Sequence, residues 1–471
     1  GGNLGCTQLG RIEYALHGGR INTDAIDNSA GVDCSDHEVN IKILLGLVVA
    51  DGEMTLKQRN TLLAEMTDEV GTLVLRDNYF QTQALSLART RTTQWLDAEA
   101  RLMRYLERTG RLNRVIEFLP PDEEIDARRA ANGGLTTPER AVLMAYSKMW
   151  LYDALLASDL PDQPFVADGL PGYFPHPLQA RCGPTMPRHP LRREILATMH
   201  ANALINRAGV TFVHRLAEET GAEPLAVVWA SLVARAVYRM DPLWEQVDGL
   251  DAQVPHETQT ALFTAFAQLH ERATLWFLRR RIADVLATVA RFRDAVDALA
   301  PEVDGLQTED SARTSAQQQQ ALADEGVPEA LARTAAGVPA RVSLLDIAEV
   351  AAASGCDAKL AARVYFALDQ PLGYGWLQGG ILNLPTQTHW QMLARATLLE
   401  ELGQLRRRLT GSVLRDAPAG IGAEALVDTW KATRQEALAR YNRVIADQVA
   451  AGQADLAMLS VGLKALAEVE A

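Results

Sequence analysis

The residues best equipped for chemistry lie together near the start of the chain, in Asn28-Ser29-Ala30-Gly31-Val32-Asp33-Cys34-Ser35. Asn28 carries a carboxamide that donates and accepts at once, which suits a polar ligand. Asparagine is equally at home in a turn, and spacing alone favours the turn. Ser35-Asp36-His37-Glu38 fits the S-x-x-E capping box, with serine and glutamate satisfying orphan amides at a helix start. A helix N-terminus also favours an anion, so Ser35 has two candidate roles, cap or carboxylate donor.

Other chemistry is thinner. Cys34 and His37, with Cys6 and His17 nearby, offer N and S ligands but follow no zinc spacing, and cysteine is often a small buried filler. Asp24, Asp27, Asp33, Asp36 and Glu38 give no hard-cation loop, so no metal site is expected. His189, His200, His214 and His270 fall on helices or their edges without a paired nucleophile and read as packing or surface residues. No G-x-G-x-x-G follows a strand, and neither a P-loop nor G-x-S-x-G occurs.

The elements that must position Asn28 and Ser35 begin with a glycine-rich turn, then a helix capped by Thr7 and running to about Leu16. Arg20–Ile26 alternates like a short strand, Asp27–Val32 reads as a loop, and a helix follows Ser35 through Leu47. Residues 1–52 thus form one α-β-α fragment, too little for a sheet of its own. Helical periodicity dominates from residue 53. A strong start is expected at Thr137-Pro138-Glu139, and Leu398, Leu402, Leu405 and Leu409 mark a long helix over 390–415. Eight prolines between Pro161 and Pro190 predict an ordered loop docked by Phe165, Tyr173 and Phe174. The glutamine run after Thr308 is the weakest region for order, so a subdivision of 53–471 is placed near 305–345. One helix is expected from Ala423 to Ala450.

A net charge of −13 over 471 residues repels phosphate backbones and argues against nucleic acid. Four scattered cysteines with no C-x-x-C fit a reducing, cytoplasmic setting better than a disulfide framework. The longest apolar run, Ile43–Ala50, is far short of the roughly 20 residues of a membrane helix.

Asn28-Ser29-Ala30-Gly31-Val32-Asp33-Cys34-Ser35 resembles the N-A-G-G-V-x-x-S loop of amino-acid dehydrogenases. GGNLGCTQLGRIEYALHGGRINTDAIDNSAGVDCSDHEVNIKILL, GLTTPERAVLMAYSKMWLYDALLASDLP and DLAMLSVGLKAL are similar to the large bacterial NAD-specific glutamate dehydrogenases, and the likeness extends along most of the chain. The resemblance implies NAD as cofactor, with Asn28 and Asn3 at its nicotinamide half. L-glutamate or 2-oxoglutarate would be gripped by Val32 and the Ser35 hydroxyl. It implies catalytic lysines and an aspartate upstream of Gly1, hence no catalytic residue in this piece, which would be inactive alone. A homo-oligomer through the longer subunit is also implied. Ser29, Ala30 and Asp33 depart from the common motif, and Asp33 would repel a carboxylate unless it points away or meets a cation.

The expected architecture is therefore mainly α, with a small α/β remnant of a dinucleotide-binding domain over residues 1–52 and a large helical region over 53–471. The alternative function is a helical oligomerisation or regulatory module without its own catalytic role.

Overall fold

In a computed structural model that describes residues 5–280, 282, 284–306, 309–385, 388–415, 420–452 and 454–470, helices joined by turns make up the chain, and no strand occurs among the described residues. The expected α/β remnant is therefore absent, and the mainly helical expectation alone survives. Thr7 does cap the first helix, α1 (Gln8–Leu16), its hydroxyl accepting from the Gly10 amide. Residues 20–23, expected as strand, have no neighbour to pair with, and a lone strand leaves its amides and carbonyls unbonded. The buried Arg11 guanidinium captures this segment instead. It donates to the Asn22 carbonyl at 2.8 Å and to Asp27 at 2.9 Å, and it pairs with Asp24. Those acids sit in a short helix, α2 (Asp24–Asp27), and α3 (Ser29–Ala50) follows after a single residue.

The chain divides into two compact units, residues 1–218 with 222–228, and residues 219–221 with 229–471. In the first, α4 (Leu56–Glu65) leads into α5 (Thr67–Arg89), which packs along α3 and buries Val74 and Leu85 near Ile41, Leu44, Leu45 and Val48. Next come α6 (Thr92–Arg108), α7 (Asp122–Ala130) and α8 (Thr137–Leu156). The start of α8 is capped by Thr136, one residue earlier than expected. The Thr136 hydroxyl accepts from the Glu139 amide, and Glu139 accepts from the Thr136 amide at 2.7 Å. Glu99 of α6 and Arg140 of α8 form a bidentate ion pair at 2.5 and 3.2 Å, both side chains essentially out of water.

The proline-rich stretch is a chain of short helical turns, not a plain loop: Leu160–Asp162, Pro164–Ala167, Leu170–Tyr173, His176–Cys182 and Gly183–Arg188. Each carries a proline in its first two positions, where the missing amide hydrogen costs nothing. Tyr173 and Phe174 are buried and Phe165 half-buried.

In the second unit, Asp346 joins three helices. It accepts from Trp276 Nε1 at 2.7 Å, from the Tyr365 hydroxyl at 3.2 Å and from Arg407 at 2.6 Å. The glutamine-rich stretch is helical over Glu309–Asp324, while Thr308 lies outside the described residues. The helix expected over 423–450 is broken into Ala423–Thr433 and Gln435–Ala451 at Arg434. No helix of the described residues is long and apolar enough to cross a membrane.

Candidate functional site

The small-residue stretch from Asn28 is the first two turns of α3 itself. Asn28 occupies the cap position, with φ −103° and ψ 12°, and its side chain caps no amide. Its carboxamide folds over Gly31 instead: a Cβ at Gly31 would stand 2.6 Å from Asn28 Oδ1. Glycine is what lets the amide lie there.

Ser35 is inside the helix and not at its start, which corrects the capping-box reading. Its hydroxyl reaches back towards the Gly31 carbonyl at 3.5 Å, and Glu38 pairs with Lys42 one turn on. The sequence fits S-x-x-E, but both side chains are engaged along the helix face. Asn28, Val32 and Ser35 fall at i, i+4 and i+7, a sector about 60° wide at 100° per residue. Val32 is 68% exposed, Ser35 is exposed and Asn28 half-buried, so three expected site residues share one open stripe. Asn3 lies outside the described residues. A separate groove of about 620 Å³, lined in part by Ile12, Arg114, Phe118 and Glu139, includes none of these three.

Asp33 answers the concern it raised, because it faces the opposite side of α3. There it meets His37 one turn later, at 4.0 Å, and Asp77 of α5. His37 is 2% exposed, and its ring stacks on Tyr173 with centroids 4.5 Å apart. The Tyr173 hydroxyl donates to Asp36 at 2.7 Å and accepts from Asn40 at 2.9 Å. His189 Nδ1 accepts from the Leu191 amide, so its proton sits on Nε2, which donates to the Asn40 carbonyl at 3.1 Å. Two residues of the proline-rich stretch thereby clamp α3.

Burial, reinforced by Asp77 and Asp36, pushes the Asp33 carboxyl up to about 7. Burial also raises the Asp77 carboxyl and lowers the His37 imidazole. Lys148 of α8, held at 3.3 Å by Gln81, is lowered to about 7 by burial against the opposing pull of Asp77. Asp77 and Lys148 have no signal in the sequence, while Tyr173 is legible as a docking aromatic but not as a neighbour of His37. Asp33 and His37 at i, i+4 carried a signal, but it is readable only once the helix is known to begin before them.

Cys6, His17 and Cys34, which follow no zinc spacing in the sequence, do not join His37: among the described residues, Asp33, His37 and Asp77 are the group that could hold a metal ion. His270 does have a hydroxyl partner, Ser231 Oγ at 3.0 Å from Nε2, but both are buried, which leaves packing as their role.

Residues 132–468 match the family described as glutamate dehydrogenase, C-terminal. The chain belongs to this family. Residues 1–88 match a second description, the catalytic domain of bacterial NAD-glutamate dehydrogenase, so the stripe on α3 and the cluster beneath it both fall in that part. Among curated relatives, the chain is 42% identical to the NAD-specific glutamate dehydrogenase of Pseudomonas aeruginosa over all of its length. It is 39% identical to that of Mycobacterium tuberculosis over 98% of its length, and 38% identical to that of Halomonas elongata over all of it. The chain spans 29% of the length of each of these relatives.

Proposed function

We propose that the chain is part of an NAD-dependent glutamate dehydrogenase, which converts L-glutamate, NAD and water to 2-oxoglutarate, ammonium and NADH. The observation that carries this reading is the open stripe of Asn28, Val32 and Ser35 on α3, within the residues that match the catalytic-domain description. In this reading Asn28 holds the nicotinamide end of the cofactor, and Asn3 is a second cofactor-binding residue. Val32 lies against the aliphatic part of the substrate, and Ser35 donates to its side-chain carboxylate. NAD, when bound, accepts the hydride.

The residues present fit the nicotinamide end. The Asn28 carboxamide is displayed over Gly31 in space that any larger residue would fill, and its donor and acceptor match an amide and a ribose hydroxyl. Asp33, the acid at which the motif departs most awkwardly from the family, faces away from the stripe. The chain supplies one wall of the pocket and none of the groups that move protons. The protein works in the cytoplasm, as a homo-oligomer.

Asn28→Ala in the full-length enzyme tests the reading. The expected result is at least a tenfold rise in the NAD KM with an unchanged melting temperature, because Asn28 caps no amide. An unchanged KM for NAD overturns it.

A further inference from the structure

We propose that Asp33, His37 and Asp77 form a divalent-metal site, suited to Zn2+, that ties α3 to α5 on the side of α3 opposite the exposed stripe. One ligand atom from each residue lies within 4.8 Å of the other two. Asp33 and His37 come from successive turns of α3, a spacing that sets two side chains on one face, and Asp77 approaches from α5.

The imidazole makes this more than an acidic patch. His37 is 98% removed from solvent, yet neither ring nitrogen has a hydrogen-bond partner. Asp33 Oδ2 is also buried without one. Buried polar atoms are almost always satisfied, so an unpaired imidazole buried beside an unpaired carboxylate oxygen calls for a cation that one ring nitrogen and the carboxylate can share. The ring cannot swing away to find another partner, because it is stacked on Tyr173, which Asp36 and Asn40 hold in turn. Arg76 and Lys148 are the nearby cations, but no lysine or arginine forms an ion pair with Asp33 or Asp77 among the described residues.

The donor set selects the metal. One imidazole nitrogen with two carboxylate oxygens suits Zn2+, while Ca2+ and Mg2+ call for more oxygens and more water. Tetrahedral Zn2+ at about 2.0 Å sets its ligand atoms about 3.3 Å apart. Asp33 and His37 are 4.0 Å apart and no pair is wider than 4.8 Å, so closure draws each pair together by at most about 1.5 Å, within reach of side-chain rotation. A water completes the fourth position.

The inference does not depend on the dehydrogenase reading, and its test does not read activity. Full-length protein is stripped with chelator, reloaded with ZnCl2, freed of excess and assayed for zinc by mass spectrometry. His37→Gln and Asp77→Asn are expected each to lose one zinc per chain, or to bind it at least tenfold more weakly by calorimetry. Co2+-loaded wild-type protein, examined by X-ray absorption, covers the case in which a variant fails to fold: it should show imidazole nitrogen with oxygen neighbours. Wild-type protein that retains no zinc or cobalt, variants that retain as much as wild type, or a cobalt shell without imidazole overturns the proposal.

Discussion

Ser35 and His37 stand two positions apart on α3 and face opposite ways, Ser35 in solvent and His37 buried against Tyr173. Two residues turn a helix by about 200°, so one short stretch serves an open surface and a closed cluster at once. Ser35 is thereby free of structural duty. Among the described residues its hydroxyl makes one hydrogen bond, the long one to the Gly31 carbonyl.

Ser35→Ala therefore changes stability by no more than about 0.5 kcal/mol, the usual range for an exposed site without a special contact. If its hydroxyl grips the substrate carboxylate, the glutamate KM rises about tenfold or more, as for a lost hydrogen bond to a charged group. Steady-state kinetics and a thermal melt on the same preparation separate the two effects. A fall in stability with unchanged KM would give Ser35 a structural role within α3 and none in substrate binding.

Gly31→Ala is a sharper probe of Asn28. The added methyl would stand 2.6 Å from Asn28 Oδ1, so the carboxamide must move, and as the end of a side chain it can do so cheaply. Alanine is worth up to about 1 kcal/mol more than glycine inside a helix, which offsets the displacement. The expected variant melts at or slightly above wild type and binds NAD more weakly. Unchanged NAD affinity by calorimetry would show that the position of the amide does not matter.

How legible these features were depends on how local they are. The leucines 398, 402, 405 and 409 are all buried in one helix, His389–Leu414, as their spacing implies, because periodicity reports a face directly. Residues 20–35 are less legible for a different reason. Seven alternating residues fit a strand, but a strand exists only with a partner, and Arg11 supplied one of another kind. The S-x-x-E pattern at Ser35 outweighed the true start at Ser29, which has no side-chain cap to announce it. Asp77 comes from another helix, so no spacing around His37 could point to it. The break at Arg434 carries neither glycine nor proline and left no trace in the composition.

The Glu99–Arg140 pair gives a stability prediction. Both side chains are buried, Arg140 0% and Glu99 2% exposed, so removing one leaves a charge without water or counter-ion. Glu99→Ala is expected to lose about 3–5 kcal/mol in chemical denaturation. The double change Glu99→Leu with Arg140→Met should recover most of that loss, since a well-packed apolar pair avoids the desolvation penalty. A single variant within about 1 kcal/mol of wild type would mean that water reaches the pair.

His270 sets a pH limit on the second unit. Burial holds its imidazole down to about 4, with Arg235 lowering it further, while the Ser231 carbonyl, Glu271 and Asp241 pull the other way. The unfolded imidazole titrates near 6.5, so as pH falls the unfolded chain takes the proton first. The contribution is complete above about pH 6.5 and is lost as pH falls towards 4, where the native state protonates as well. The shift corresponds to about 3 kcal/mol at 1.36 kcal/mol per unit. His270→Gln has no such titration, so the stability gap between wild type and variant should shrink by about that amount between pH 7 and pH 4. Equilibrium denaturation at a series of pH values measures it, and parallel curves for the two proteins would rule His270 out as the source.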